Sequence, residues 1–354
     1  MSGGSMEQKR EKWIDFVKVI AIFIVLLNHA GVRIPGVNFW GGMFFVPVFF
    51  VLSGYTYETK KQSYQTFAVA KAKRLLLPYF TANAILLLFF VCKDAIIRHD
   101  INCLSWEGIL GIFYARNQLC LRGREPHVLF YQYLNAPTWF LPALFLTLLL
   151  FDALMRKFRG HQGKVFGVLF GLFVLQNVYF FFSKTLLPWS IDSLPLFGLL
   201  MQAGYCLKTY RIFPKLLDRG NRIVKAAVLI CTAIFIGTAI YNGSANLSIA
   251  DFGKHVVLCI YNSVIASALI CFVCFIWDHK AQKGIPEFLT RPGKHTLTIL
   301  CYHMLIFAIL IGGAGLVSVI LGMHENVYLM SALKLCVIVF TMALFTRLGE
   351  WKRA

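Results

Sequence analysis

The sequence predicts an all-α protein that crosses a membrane about ten times. Of its 354 residues, 58% are hydrophobic and only 14% are charged, whereas soluble domains carry about 25% charged residues. The mean hydropathy is +0.67, and the shortage of charge extends along the whole chain. Apolar runs of about twenty residues are long enough to cross a bilayer as helices. Lipid is therefore the expected solvent for most of the chain.

Ten apolar segments have this length. Their approximate bounds are 13–30, 38–57, 75–92, 137–155, 165–182, 189–207, 223–241, 252–276, 295–316 and 326–346. The second segment contains Pro47 and the Gly41-Gly42 pair, which can break a helix because proline lacks an amide donor and glycine is flexible. The expected number of spans is therefore about ten, give or take one.

The basic residues orient these spans. The net charge is +19, which in a soluble protein would suggest a nucleic-acid partner. Here 25 of the 35 Lys and Arg residues fall in alternate gaps or at the span ends beside them, eight fall in or beside the other gaps, and Lys18 and Lys334 lie deeper within spans. Cytoplasmic loops of membrane proteins carry such an excess of positive charge. We expect both termini in the cytoplasm and no nucleic-acid partner.

The chain is expected to form one membrane domain. Residues 1–12 comprise a short tag remnant and a cytoplasmic N-terminus without a signal peptide, residues 13–348 form the transmembrane domain, and residues 349–354 form a cytoplasmic tail. The one long outer loop, about 93–136, contains Cys103 and Cys120. These two can pair in an oxidising compartment or remain thiols. Cys271 and Cys274 lack a second ligand pair, so we interpret them as packing residues and expect no metal site.

The first span carries ionisable residues, which cost about 2.5–3.5 kcal/mol each at the centre of a transmembrane helix. Lys18 and His29 are eleven residues apart, so they share one helical stripe, with a rise of about 16 Å between them. Asp15 lies three residues before Lys18, a spacing that allows an ion pair. Two interpretations follow: a functional stripe, or snorkelling Asp15 and Lys18 with His29 at the outer end of the helix.

The pattern Asp15-x-x-Lys18-x10-His29 resembles the basic-x10-His signature of the acyltransferase-3 family of integral membrane O-acyltransferases. The usual basic residue is Arg, and Lys18 keeps its charge without its two-pronged geometry. Four further segments resemble family motifs in the family's order: Phe49-Phe50-x-x-Ser53-Gly54, Lys71-x-Lys73-Arg74 before Pro78-Tyr79, Trp139-Phe140-Leu141, and Gly293 followed by Tyr302-His303. The third of these resembles the fucose 4-O-acetylase-like branch.

This resemblance implies the transfer of an acyl group, usually acetyl, from acyl-CoA to a sugar hydroxyl. His29 is the expected base or transient acyl carrier, because a hydroxyl needs a positioned base near neutral pH. Asp15 and His303 are further catalytic candidates, although His303 can equally be a core histidine. Acetyl-CoA is the expected co-substrate, without a metal.

The resemblance also suggests binding residues. We expect CoA at Lys71, Lys73 and Arg74, with Lys18 and Ser53 along a narrow passage between the first two spans, and we expect acceptor contacts at Trp139 and Glu58. Each has a structural alternative, namely ordinary positive-inside charge, helix packing, or a place at the membrane interface.

The expected acceptor is a carbohydrate or lipid-linked sugar of the cell envelope, and the expected location is a bacterial cytoplasmic membrane. Its identity, its side of the membrane, the acyl length and the oligomeric state are not predicted. The main alternative is a transporter or flippase of a glycan or acylated metabolite. Transporters often contain internal repeats, and none is evident in this sequence.

Overall fold

The computed structural model describes residues 11–58, 62–97, 99, 101, 104, 106–116, 135–183, 185–218, 220–320 and 326–351. Across these residues the chain forms α-helices and short 3-10 turns and contains no strand. The predicted all-α class is therefore confirmed. Cys103 and Cys120, and most of the predicted outer loop, lie outside the described residues.

Fourteen α-helices occur in the described part of the chain. In order they are α1 (Lys12–His29), α2 (Val37–Gly42), α3 (Pro47–Tyr55), α4 (Tyr64–Ile97), α5 (Trp106–Tyr114), α6 (Phe140–Lys157), α7 (Gln162–Phe182), α8 (Leu194–Thr209), α9 (Ile212–Leu217), α10 (Arg222–Asn242), α11 (Val256–Lys280), α12 (Glu287–Thr290), α13 (Thr296–Ile320) and α14 (Val327–Trp351). Four 3-10 helices join them, at Ala136–Trp139, Pro188–Ser193, Leu247–Ile249 and Arg291–Lys294.

Seven helices of the described chain are long and apolar enough to cross a membrane: α4, α6 with its preceding 3-10 turn, α7, α10, α11, α13 and α14. The other three predicted spans correspond to α1, the α2–α3 pair and α8. These three segments are not among the seven because α1 carries three charged residues, α8 has only 16 residues, and the second segment is divided into two short helices. The protein is therefore a multi-pass membrane protein, and ten is an approximate count.

The break in the second predicted span occurs at the expected proline. Helix α2 ends at Gly42, and α3 begins at Pro47. Proline is well tolerated at the first position of a helix, because the amide that it lacks would have no partner there. The chain can therefore change direction between α2 and α3 while both helices keep their internal hydrogen bonds.

Helices α3 and α8 cross in close contact through two glycines. A Cβ atom added to Gly54 would lie 1.8 Å from the carbonyl oxygen of Met201, and one added to Gly204 would lie 1.8 Å from that of Val51. Small residues permit this approach of two backbones within a membrane. Phe50 and Phe197 stack beside the crossing, with ring centroids 4.4 Å apart. The two short helices are thereby fixed to each other.

Helix α1 is held at its beginning by neighbouring elements. A Cβ atom on Gly293 would lie 2.0 Å from the carbonyl oxygen of Asp15, so the Arg291–Lys294 turn packs directly against the α1 backbone. The amide of Trp13 donates to Asp278 on α11 over 3.1 Å, and the Trp13 side chain is fully buried. These contacts fix the rotation of α1, and therefore the direction of its polar stripe.

A buried ion pair joins segments at the other end of the bundle. The Arg116 guanidinium, after α5, donates to the Asp192 carboxylate and to the carbonyl oxygen of Ser248, and the side chains of the ion pair have no solvent exposure. Burial lowers the pKa of Arg116, and the negative charge of Asp192 opposes that change. The pair connects the α5, 188–193 and 247–249 segments.

We expect Gly54→Ala to destabilise the protein by about 1–3 kcal/mol or more, because the added methyl group has no room between the two backbones. Gly167→Ala on α7 is the matched control, since nothing lies within 4 Å of its Cβ position. Thermal unfolding of the two variants in detergent measures the difference. Equal melting temperatures for both variants would contradict the close crossing.

Candidate functional site

A cavity of about 700 Å³ opens at the end of the bundle where α1 and α4 begin, which is the predicted cytoplasmic end. Its walls come from the first halves of α1 and α4, the end of α3, and parts of α6 and α13. Six of the ten predicted site residues line it: Asp15, Lys18, Ser53, Glu58, Lys71 and Arg74. Residues distant in sequence therefore share one space, as a binding site requires.

The helical repeat of α4 separates the three predicted cations. Lys71 and Arg74 line the cavity together with Phe67 and Leu75, because positions three and four apart share a helix face. The Lys71 Nζ atom lies 5.2 Å from the centroid of the Phe67 ring. Lys73 is exposed and does not line the cavity. The basic cluster is therefore divided between a cavity face and an outer face.

Asp15 and Lys18 form the ion pair that their spacing suggests. The Lys18 Nζ atom lies 3.5 Å from the Asp15 Oδ1 atom, with the Asp15 side chain only 3% exposed and that of Lys18 26% exposed. A buried carboxylate needs a charged or hydrogen-bonding partner. Asp15 therefore holds the Lys18 ammonium at the cavity wall, close to the backbone contact made by Gly293.

Glu58 lies at the rim of the same cavity. Its carboxylate is 3.0 Å from the Lys208 Nζ atom, and both side chains are substantially exposed. Exposed pairs contribute little to stability. Ser53 lies deeper, and its hydroxyl donates to the Phe49 carbonyl oxygen over 2.7 Å. Because the hydroxyl hydrogen is used in a bond to the backbone of its own helix, Ser53 fits the role of a residue that lines the passage.

A largely buried network beside the cavity, which Tyr57 also lines, involves residues that the sequence analysis did not select. The Tyr57 hydroxyl donates to the Asp152 carboxylate over 2.7 Å, and the Arg156 Nε atom donates to it over 2.6 Å. Arg156 also donates to the Gln62 carbonyl oxygen over 2.8 Å. The network ties α6 to both ends of the 56–63 segment. The sequence did contain a signal for this network, because Asp152 is an acidic residue within the predicted span 137–155.

The cavity becomes apolar with depth. Beyond Lys18 its lining on α1 ends at Ile22, and on α13 it ends at Leu300. Phe140 and Leu144 of α6 complete this inner part. The cavity therefore offers cations at its mouth and hydrocarbon walls at its closed end, an arrangement that suits a ligand with a charged head and a thin, less polar tail.

Two predicted catalytic residues meet beyond this closed end. The ring centroids of His29 and His303 are 5.3 Å apart, with the ring planes tilted by 60°. His303 is completely buried, whereas His29 is exposed at the last residue of α1. Because His29 contacts a buried residue of α13, its side of α1 faces protein and not lipid.

Backbone contacts determine which nitrogen of each ring carries a hydrogen. The Nδ1 atom of His29 lies 2.7 Å from the Val25 carbonyl oxygen. That of His303 lies 3.1 Å and 2.9 Å from the Ile299 and Leu300 carbonyl oxygens. A carbonyl oxygen only accepts, so each Nδ1 is the donor and each neutral ring has its lone pair on Nε2. Both rings therefore present a basic nitrogen.

An apolar layer separates the cavity from the histidines. His303 follows Leu300 by one helical turn, a rise of about 4.5 Å, and His29 follows Ile22 by two turns, about 10 Å. Neither histidine lines the cavity. Lys18 and His29 thus lie on the same side of α1. The cavity beside that side, however, ends one to two helical turns before the two imidazoles.

Trp139 is buried and does not line the cavity. It is 6% exposed and packs against Phe140 and Phe197, with centroid distances of 6.4 Å and 6.1 Å. Asn135, just before this turn, donates to the Cys301 carbonyl oxygen on α13 over 3.0 Å. The Ala136–Trp139 turn thus supports α13 two residues from His303.

The thiols of Cys271 and Cys274 support the packing interpretation. Each residue is 1% exposed, and both belong to the apolar cluster around Trp13. Among the described residues, no three His, Cys, Asp or Glu side chains converge as metal ligands.

Comparison with known proteins identifies one family. A family profile described as an acyltransferase domain matches residues 11–348, nearly the whole chain. No curated protein and no solved structure gives a significant match. The match covers the cavity, the apolar layer and both histidines, and it does not distinguish the fucose 4-O-acetylase-like branch.

We expect Asp152→Ala to destabilise the protein by about 1–3 kcal/mol, because the buried Tyr57 hydroxyl and the Arg156 guanidinium lose their shared acceptor. Glu58→Ala is the control, since its exposed ion pair is worth at most about 1 kcal/mol. Thermal unfolding in detergent compares the two. A melting temperature for Asp152→Ala that equals that of Glu58→Ala would show that the network does not brace the cavity.

Proposed function

Because this chain belongs to the acyltransferase-3 family, we propose that it is a membrane O-acyltransferase that uses acyl-CoA. It moves an acyl group, preferably acetyl, to a hydroxyl of a carbohydrate or lipid-linked sugar in a bacterial cell envelope. The observation that carries this proposal is the order of features along α1 and α13. A cavity with cations at its rim lies at one end, and the contact between His29 and His303 lies farther along the same two helices.

The shape and charge of the cavity support acyl-CoA as the donor. Lys71 and Arg74 face it from α4 and Lys18 from α1, and cations of this kind bind phosphates through charge-assisted hydrogen bonds. The apolar inner part, with Ile22 and Leu300, suits the thin pantetheine arm. A volume of about 700 Å³ lies within the range of small-molecule sites.

His29 is proposed as the general base. Its Nε2 lone pair takes the proton of the acceptor hydroxyl while the hydroxyl oxygen attacks the thioester carbonyl carbon. The C–O bond forms, the C–S bond breaks, and the CoA thiolate takes the proton back from the imidazolium as CoA leaves. The Val25 carbonyl oxygen, 2.7 Å from Nδ1, holds the ring in the required tautomer throughout.

The apolar layer gives this proposal a conformational requirement. For the thioester to reach His29, side chains at the level of Ile22 and Leu300 must move aside as the pantetheine arm enters. In the closed arrangement the layer keeps water in the cavity away from the histidines. Exclusion of water protects a reactive thioester from hydrolysis. The acceptor then approaches from the other side, where His29 is exposed.

The donor proposal is tested by comparing two faces of α4. Lys71→Met and Arg74→Met should each raise the KM for acetyl-CoA about 5- to 50-fold with little change in kcat, because each removes a phosphate contact made in both the ground and transition states. Lys73→Met, on the outer face, should leave KM unchanged. Steady-state release of CoA in detergent provides the measurement. Equal KM changes for all three would refute the cavity as the CoA site.

His29→Ala should lower kcat by about 10²–10⁴-fold, the usual contribution of a general base, while acetyl-CoA binding persists. Release of CoA and binding of labelled acetyl-CoA are measured separately. Label retained on the wild-type protein, but not on His29→Ala, would replace the base with an acyl-histidine intermediate. A wild-type protein that neither binds nor consumes acyl-CoA would overturn the proposal in favour of transport.

A further inference from the structure

The cavity contains a basic residue, Lys208, that the sequence analysis did not select. Lys71 and Arg74 line the cavity from α4, whereas Lys208 is the second-last residue of α8. Lys18 on α1 is already paired with the buried Asp15 carboxylate. An anionic ligand in this cavity can therefore be contacted by cations from more than one helix, and Lys208 is the contribution of α8.

Lys208 lies at the mouth of the cavity, away from the apolar closed end. Gly204, one helical turn before Lys208, packs against α3, and a Cβ atom added to it would lie 3.0 Å from the Tyr55 amide nitrogen. This contact fixes the end of α8 beside the end of α3. Glu58 follows the end of α3 by three residues, and its carboxylate lies 3.0 Å from the Lys208 Nζ atom. The Lys208 and Glu58 side chains are 40% and 51% exposed, so both groups meet water at the entrance.

The ion pair between Lys208 and Glu58 can exchange its partner easily. Exposed ion pairs are weak, because water screens the charges and two long side chains must be held in one geometry. A phosphate monoester carries nearly two negative charges at neutral pH and has three acceptor oxygens, whereas a carboxylate carries one negative charge. The Lys208 ammonium therefore favours a phosphate monoester over Glu58 when a ligand brings one to the mouth.

From this placement, and on the basis of the proposed function, we propose that Lys208 binds the ribose phosphate of CoA and selects CoA over donors that lack this phosphate. The thioester lies at one end of acyl-CoA, and the phosphate on its ribose lies near the other end. A donor whose acyl end points toward Ile22 and Leu300, in the inner part of the cavity, carries its ribose phosphate outermost, at the level of Lys208. The ammonium then leaves Glu58 for the phosphate, and the Glu58 carboxylate turns to water.

The proposal is tested by comparing acetyl-CoA with acetyl-dephospho-CoA, which lacks only the phosphate on the ribose. Lys208→Met should raise the KM for acetyl-CoA about 5- to 50-fold with little change in kcat, because it removes a contact made in both the ground and transition states. The same variant should leave the KM for acetyl-dephospho-CoA unchanged. Steady-state release of CoA or dephospho-CoA in detergent provides the measurement.

Two further variants complete the test. Lys215→Met is the matched control, since Lys215 is exposed on α9 and does not line the cavity, and it should match the wild type with both donors. Glu58→Gln removes the competing negative charge, so it should lower the KM for acetyl-CoA about 2- to 5-fold and change that for acetyl-dephospho-CoA less.

The possible failures can be told apart. If Lys208→Met leaves the KM for acetyl-CoA unchanged, or raises the KM of both donors equally, Lys208 does not recognise the ribose phosphate and the inference is wrong. An effect of Lys71→Met on KM in the same assay would then leave the cavity as the CoA site. Failure of the wild type to release CoA from acetyl-CoA would instead reject the proposed function itself.

Discussion

Charged groups on α1 would be unfavourable in contact with lipid, and this constraint determines where the site lies. Asp15 and Lys18 lie within the first two turns of the helix, and His29 lies at its end. The structure places this stripe against protein: Asp15 beside the Gly293 turn, Lys18 in the cavity wall, and His29 against His303. Long apolar helices on the outside, such as α7, α10 and α14, then meet the lipid. The most polar predicted span therefore becomes a central element of the bundle.

Glycine contacts make this arrangement rigid enough to act as a site. Gly54 and Gly204 lock α3 to α8, and Gly293 sets the rotation of α1. A helix that could rotate by one residue would turn its stripe by about 100° and move Lys18 and His29 away from the cavity axis. In a membrane, where lipid is as apolar as the helices, such close backbone packing supplies much of the specificity that the hydrophobic effect supplies in water.

The apolar layer between the cavity and the histidines connects structure to the proposed chemistry. In the proposed mechanism, a donor held at its phosphates by Lys71 and Arg74 would direct its reactive end toward Ile22 and Leu300, which line the inner part of the cavity. The histidines lie one to two turns farther on, one of them buried and one exposed. On this proposal, donor and acceptor would meet only when the layer opens. The closed layer would protect the thioester from water, and the Nε2 atom of His29 would lie on the side from which the acceptor approaches.

Hydropathy and helical periodicity are local properties, so the amino-acid sequence was enough to predict the membrane class, the approximate spans, the helix break at Pro47 and the shared stripe of Lys18 and His29. The sequence also indicated the acyltransferase family, because short segments that resemble the family's motifs occur along the chain in the family's order. The packing of the helices was needed to show that Lys71 and Arg74 face the cavity while Lys73 does not, that Tyr57 and Asp152 form a hydrogen bond at its wall, and that Trp139 is buried. It alone brought His29 to His303 across 274 positions of the chain, because contacts between distant helices depend on side-chain packing that no local pattern records.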